Sequence, residues 1–414
     1  MRALEIAVVG CGSAGPAAAI MLQRAGHRVC MFEAVTELGP VGAGVLLQPT
    51  GLEVLARLGA LEPVLAHGAR VDLLVCRTRA GAAVLDLAYG ELGAGVCGVG
   101  IHRAVLLHYL VEGVRAAEIP IHMDTAIVDV EAAGADTWRL RDRRGQEHGP
   151  FELVLVCDGA RSALRERLAP RARAVPYPWG ALWFIGRDPE RRFGGSLSQT
   201  VHGARRMVGL LPTGLDLAGE EPLVSLFYSA RLQAVDAIKG AGLAAWKADV
   251  LDLVPAAEPV VDQIDDFDQL PVAAYFDVRM RPWHHGQVLF MGDAAHATSP
   301  QLGQGVNLAL CDAAALVDSL ADADTIAAAL DAYTRRRRVQ VDHYQRASRW
   351  LTPFFQSSSG LLGWVRDWSM GAMTRIGPLR RKMTRTMAGV ERGFLRPGLP
   401  LPAGAGGYTK LTAG

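Results

Sequence analysis

The chain begins with short apolar blocks set apart by glycines. Ile6–Val9 is a run of apolar residues, the pattern of a parallel strand covered on both faces. Ala14–Ala25 carries the spacing of a helix, Gly26 closes it, and Arg28–Phe32 gives a second buried strand ending at Glu33. Gly39, Gly42 and Gly44 then mark a loop, and Pro49–Leu58 reads as a helix. Val71–Arg77 and Ala83–Leu87 suggest a hairpin. Ile101–Val114 is expected to be a helix with Val105, Leu106, Tyr109, Leu110 and Val114 inside. Ile121–Glu131, Trp138–Arg143 and Phe151–Val156 read as strands.

Between residues 172 and 275 the texture changes to alternating apolar and polar positions, as in Ala181–Ile185, Arg206–Leu211 and Leu223–Tyr228. This predicts a mostly antiparallel sheet, with a helix over Ala241–Leu253 lying on it. Gln287–Met291 returns to the buried-strand pattern. Val306–Leu320 is a helix with Val306, Leu310, Ala313, Leu316 and Val317 inside, and a charged helix spans Ala328–Arg349. Trp350–Gly414 reads as irregular and ends in a mobile Pro/Gly/Ala-rich tail. The fold class is therefore α/β (α+β overall). A Rossmann-like nucleotide domain is expected in two pieces, 1–171 and 276–350, with a substrate-binding β-sheet domain at 172–275 and a helical or irregular region at 351–414.

The glycines after the first strand carry the clearest chemistry. Gly10 permits a tight turn, Gly12 leaves room for a pyrophosphate, and Gly15 lets the helix pack close to the strand. The helix then presents its N-terminal N–H groups and positive dipole end to phosphates. Glu33, at the end of the second strand, suits ribose hydroxyls and disfavours a 2′-phosphate. The pattern predicts dinucleotide binding and leaves NAD and FAD equally open.

Two later motifs extend this. In Cys157-Asp158-Gly159-Ala160-Arg161-Ser162, Asp158 and Gly159 make a turn and Ser162 can cap a helix. Gly292-Asp293-Ala294-Ala295-His296 follows a strand, where an extended ligand crosses an open parallel sheet and Asp293 can accept hydrogen bonds from a polyol. Pro300, Gly303, Gln304, Gly305 and Asn307 lead into a helix whose first N–H groups make an anion cradle.

Composition narrows the function classes. The 414 residues are 50% hydrophobic, enough for a large core and more than one domain. A net charge of +1 gives no electrostatic case for nucleic acid. Cys11, Cys30, Cys76, Cys97, Cys157 and Cys311 form no CxxC pair and read as free thiols in a reducing compartment, with no metal site. No apolar run reaches the roughly 18 residues of a membrane span. A cytoplasmic protein is expected.

In their order along residues 4–350, the glycine motif, Asp158-Gly159 and Gly292-Asp293 resemble the single-component FAD-dependent aromatic hydroxylases related to p-hydroxybenzoate and salicylate hydroxylase. The resemblance implies FAD as cofactor, NADH or NADPH as co-substrate, and O₂. It implies insertion of one oxygen atom into an aromatic or polycyclic small molecule through a flavin C4a-hydroperoxide. It also implies cofactor contacts at Gly10, Gly12, Ser13, Ala14, Gly15, Glu33, Ala34, Gly44, Val45, Arg103, Asp158, Gly292, Asp293, Pro300, Gly303, Gln304, Gly305, Val306 and Asn307. Cys157 stands where the family usually has alanine, and Thr50 follows Pro49 where many relatives have asparagine. The alternative is the same fold with other redox chemistry: a reductase, an epoxidase or a Baeyer-Villiger oxygenase.

No catalytic residue is assigned from sequence. His202, His102, Tyr228 and Tyr275 are candidates for a base that ionises a phenol, and His202 leads because it lies in a strand of the middle sheet. Trp179, Trp183 and Phe184 are candidates for an apolar pocket wall. The apolar and basic stretch 350–395 is expected to pack on the body or in a dimer contact, with membrane contact or a lid over a lipophilic substrate as the other reading. The partners expected are an aromatic or lipophilic small molecule and, at most, a second copy of the chain.

Overall fold

The computed structural model describes residues 2–39, 42–393 and 397–401. In chain order the elements begin with β1 (Glu5–Val9), α1 (Ala14–Arg24), β2 (Arg28–Phe32), β3 (Gly44–Leu47), α2 (Pro49–Leu58) and α3 (Leu61–His67). β4 (Ala69–Thr78), β5 (Ala83–Ala88), β6 (Gly98–His102) and α4 (Arg103–Ala116) follow. Next come β7 (Ile121–His122), β8 (Ile127–Ala132), β9 (Trp138–Asp142), β10 (Glu147–Phe151), β11 (Leu153–Val156) and α5 (Ala163–Leu168). The middle of the chain supplies β12 (Arg173–Arg187), β13 (Gly195–His202), β14 (Arg206–Leu215), β15 (Pro222–Arg231), α6 (Val235–Gly240), α7 (Leu243–Leu253) and α8 (Glu258–Val261). The remainder is β16 (Val272–Arg279), β17 (His284–His285), β18 (Val288–Phe290), α9 (Asp293–His296), α10 (Gly305–Ala321), α11 (Ile326–Phe355), α12 (Gly360–Met373) and α13 (Gly377–Met387).

The first sheet has the order β17-β18-β11-β1-β2-β7. β1 runs parallel to both β2 and β11, and β11 to β18, so strands from residues 5 to 290 meet side by side. The strands on either side of β1 follow it at very different sequence distances. That makes the end of β1 a switch point where a crevice opens. α1 packs against α10 and α4, and the sheet and these helices share one core.

The large sheet has the order β16-β12-β15-β14-β13-β4-β6-β3, with β5 on β4. Its pairings are antiparallel except β13 with β4. It draws strands both from residues 44–102 and from 173–279. α7 buries Trp246, Val250 and Leu253 on it, in a second core with Leu182, Val208 and Leu226.

Some expectations are corrected. The glycine loop around Gly44 is strand β3, and Ile101–His102 belong to β6 rather than to the helix that follows. A Cβ on Gly100 would lie 1.9 Å from the Pro212 carbonyl oxygen, so close sheet packing demands the glycine that weakened the strand pattern. Ile121–Glu131 is broken by a turn between β7 and β8, and Phe151–Val156 is divided between β10 and β11. The stretch after Trp350 is not irregular throughout: it completes α11 and forms α12 and α13. The tail at 402–414 lies outside the described residues.

One buried cluster joins the pieces. Asp312 on α10 is fully buried. Its Oδ2 accepts from His296 Nε2 at 2.6 Å and from the Gly292 N–H at 3.0 Å, and its Oδ1 accepts from Arg337 Nε at 2.6 Å. Arg337, on α11, also donates to the Leu308 carbonyl at 3.2 Å and to Gln340. Burial alone pushes this carboxyl up, but His296 and Arg337 outweigh it and hold the pKa at about 2.

A depressed carboxyl stabilises the fold above its unfolded pKa, and the contribution fades as pH falls through the folded one. Asp312→Ala is therefore expected to cost about 3–5 kcal/mol in urea unfolding at neutral pH, because Arg337 is left as an uncompensated buried charge. The gap between the variant and the parent narrows as pH falls from about 5 towards 2. A gap that stays constant with pH would show that the Asp312 ionisation is not what stabilises the cluster.

Candidate active site

The end of β1 and the end of β11 meet at the first glycine turn. Gly10 has φ +102°, and a Cβ there would lie 2.6 Å from the Cys157 carbonyl oxygen. A Cβ on Gly15 would lie 2.1 Å from the Gly10 carbonyl oxygen, so α1 approaches the turn as closely as backbone allows. Gly12 differs: apart from its chain neighbours, no described residue has an atom within 4 Å of a Cβ placed there, and it lines a large cleft. That cleft has a volume of about 1330 Å³.

Two long helices point their amino ends at the cleft. Ser13 at the start of α1 and Gln304 at the start of α10 make no side-chain cap, so neither helix has its first N–H groups satisfied by a capping side chain. Gly12, Ser13 and Ala14 line the cleft on one side, and Gly303, Gln304, Gly305 and Val306 on the other. Both ends favour negative charge.

The acids are arranged around this line. Glu33 accepts the Cys11 N–H at 2.7 Å and the Val35 N–H at 3.1 Å, which fixes its carboxylate beyond the glycine turn. Each oxygen retains a lone pair for a hydroxyl donor. Asp293 opens onto the cleft, with Oδ1 4.0 Å from a Cβ placed on Gly305. The protein around it pushes its pKa up, against the opposing pull of His296 and Arg103. Asp158 is held at about 6 by burial, with Ser162 and Arg165 pulling the other way, and its Oδ1 has no partner among the described residues. Ser162 caps α5 by accepting the Arg165 N–H at 3.0 Å.

Of the expected cofactor residues, Gly44, Val45, Arg103 and Pro300 also line the cleft. Gly10, Gly15 and Gly292 stand behind its wall as close-packed turns, and Ala34 is exposed beside Glu33. The Asn307 side chain is committed to the protein instead. Its Oδ1 accepts the Gln48 N–H at 2.8 Å, and its Nδ2 donates to the carbonyls of Leu46 and Gly303 at 3.0 Å each. It clamps the start of α2 to the loop before α10. Thr50 is buried in the first turn of α2.

His202, expected as the base, lies away from the cleft. It is exposed at the hairpin between β13 and β14 and does not line the cleft, because strand alternation turns Val201 inward and His202 out. Tyr228 donates to Asp249 at 2.8 Å within the second core, and His102 is outside the cleft wall. Tyr275 does line the cleft. Its hydroxyl accepts from Trp183 Nε1 at 3.1 Å, and burial pushes its pKa up to about 12, so at neutral pH it is a neutral phenol. Trp183 and Phe227 face each other on the same wall, with ring centroids 5.2 Å apart. Trp179 is buried under Arg231, and Phe184 packs on the second core.

Sequence reading missed the opposite wall. Met370, Met373, Met383 and Met387, with His343 on α11, complete the cleft from the carboxyl-terminal helices. The concentration of methionines between 370 and 387 was the available signal.

The family described as FAD binding domain matches residues 3–208 and 244–348. The chain is 30% identical to a 3-amino-4-hydroxybenzoate 2-monooxygenase of Streptomyces platensis, covering 90% of this chain and 93% of that protein. It is 26% identical to a probable 2-heptyl-3-hydroxy-4(1H)-quinolone synthase of Rhodococcus erythropolis, covering 96% and 98%. Its fold is similar to that of Klebsiella pneumoniae HpxO complexed with FAD and uric acid, with TM-score 0.77, 19% identity, and 93% and 97% coverage.

The open Gly12 and the uncapped helix ends fit an extended dinucleotide, whereas Asp158 lies behind Cys157 and Gly159 of the wall and does not line the cleft itself. Gly12→Val is expected to leave the thermal unfolding midpoint little changed, since among the described residues only its chain neighbours lie within 4 Å of a Cβ there. FAD affinity, measured by fluorescence titration of the apoprotein, should fall about 100-fold or more, because the added side chain fills the phosphate approach. Retained affinity would place the phosphates elsewhere.

Proposed function

The chain belongs to the FAD binding domain family as an FAD-dependent monooxygenase of aromatic substrates, and from that premise we propose that it spends NADH or NADPH and O₂ to insert one oxygen atom into a large, lipophilic aromatic molecule. The observation that carries the substrate class is the cleft itself. Its wall beyond Asp293 and Gly305 is built from Trp183, Phe227, Tyr275, Leu197 and the methionines of α12 and α13. Such a surface gains by burying apolar rings and offers few hydrogen bonds.

When bound, FAD supplies the redox chemistry. The protein's own groups have narrower tasks. The amino end of α1 and the open Gly12 take the pyrophosphate, and Glu33 accepts from ribose hydroxyls. Asp293 accepts from the polyol chain. The amino end of α10, at Gly305 and Val306, would hold the cofactor's ring end and favour negative charge there. Arg103 adds a cation beside Asp293, its side chain lying against Gly42. The apolar walls keep water from the reacting atoms. Tyr275, locked by Trp183, is the polar group on the aromatic wall, and it orients a substrate by hydrogen bonding rather than by taking a proton.

Purified holoprotein should oxidise NADH or NADPH faster when the right aromatic is present. A panel of hydroxybenzoates, hydroxyquinolones with and without alkyl chains, and polycyclic phenols tests this. Under ¹⁸O₂ the product should gain one labelled oxygen. Product formed without O₂, or carrying no label, would overturn the assignment in favour of other flavin chemistry. Tyr275→Phe should raise KM about tenfold with kcat little changed, the signature of lost uniform binding. A fall in kcat with KM unchanged would instead place the Tyr275 hydroxyl in the chemical step.

A further inference from the structure

The exposed large apolar side chains are unevenly distributed. Trp350, Leu361, Trp364, Trp368 and Ile376 are between 52% and 78% exposed and fall within 27 residues of sequence, 350–376. Leu361, Trp364, Trp368 and Arg375 recur at helical spacing and form one stripe along and just past α12. The other face of the helix is fixed to the body. A Cβ on Gly363 would lie 2.7 Å from the Ala204 backbone nitrogen, and one on Gly371 would lie 2.3 Å from the Ala83 carbonyl oxygen. Between them Arg366 is fully buried and donates to the carbonyls of Gly203 and Phe354 at 3.0 Å each. The stripe is thus an outward face of a firmly seated helix.

Its surroundings are basic. Residues 343–392 hold nine Lys and Arg against two acids, in a chain of net charge +1. Both acids are already engaged: Asp367 by Arg366, and Glu391 by Lys382 and Arg385. Arg346, Arg375 and Arg381 are exposed and form no ion pair among the described residues. No helix in the described residues is long and apolar enough to cross a membrane.

We propose that the α12 stripe docks on the surface of an anionic lipid bilayer, with the indole rings of Trp364 and Trp368 at headgroup level and Arg375 and Arg381 among the lipid phosphates. Tryptophan is the side chain suited to that boundary, because its ring is apolar and its N–H still finds a partner. A basic, tryptophan-bearing helix with no spanning length lies in the interface plane. A second copy of the chain fits less well, since a two-fold contact through α12 would set the same unpaired arginines against each other. Met370 and Met373 of the same helix line the cleft, and Trp350 is both 78% exposed and part of its wall. Docking therefore brings the edge of the cleft to the lipid. The docking stands on the exposed face alone and does not require the reaction proposed above.

Flotation of the full-length, FAD-loaded protein with vesicles tests it. One set is phosphatidylcholine alone, and the other contains about one third phosphatidylglycerol. The protein should float with the anionic set at low salt, stay behind with the neutral set, and release as salt rises. Trp364→Glu/Trp368→Glu should weaken flotation about tenfold or more through the lost interfacial contact. Arg375→Glu/Arg381→Glu should weaken it by at least about 25-fold through lost attraction to the anionic surface. Both variants should keep the parent's melting temperature and flavin spectrum. Absence of flotation with anionic vesicles, or flotation unaffected by either double variant, would overturn the proposal. So would light scattering showing a dimer that the tryptophan variant converts to monomer while vesicles bind neither.

Discussion

Asp312 is the constraint around which the two long-separated parts of the nucleotide sheet are fixed. It is a buried carboxylate receiving a backbone N–H from the Gly292 turn, a histidine from α9 and an arginine from α11. Those three donors come from the elements that must be in register for the late motif to face the glycine turn at β1. Hydrophobic packing of α10 against α1 brings the helices together, but packing is nearly indifferent to small slides. A charge with directional partners is not. The position of Asp293 and of the α10 amino end therefore follows from a residue that never touches the cleft.

Asn307 repeats the same logic one turn from the start of α10. Its amide spends its donors and its acceptor on the backbone of Gln48, Leu46 and Gly303. A side chain expected at the ligand turns out to hold the loop whose residues Gly303 to Val306 line the cleft. The site is consequently a set of amides and open glycines, placed by polar side chains that sit behind them.

Much of this was legible in the sequence, and the reason is physical. β1, α1, β2, α2 and α10 are dominated by local pattern: continuous apolar runs for doubly covered strands, a clear helical period, and glycines at the breaks. β3 and β6 escaped because Gly44, Gly98 and Gly100 lower strand propensity where the Ser225 side chain, the Leu46 side chain and the Pro212 carbonyl respectively press in, a tertiary fact with no local trace. α12 and α13 were hidden by the Ser, Gly and Pro residues that begin them. His202 failed for a subtler reason. Its strand was read correctly, but only the sheet reveals which of two alternating faces looks into the cleft. The methionine wall belonged to no motif, although its composition was visible.

The backbone and the side chains of the cleft divide the labour, and that division bears on how such a protein diverges. Everything proposed to grip the cofactor's phosphates is main chain, shaped by Gly10 and Gly15, whose replacement would collide with carbonyl oxygens, and left open at Gly12. The wall proposed to meet the substrate is made of apolar side chains, the rings, Leu197 and the thioethers, on the large sheet and the last helices. Descendants of this sequence are free to exchange the latter, one residue at a time, while the former is inherited intact. New chemical tastes can thus arise on an unchanged engine.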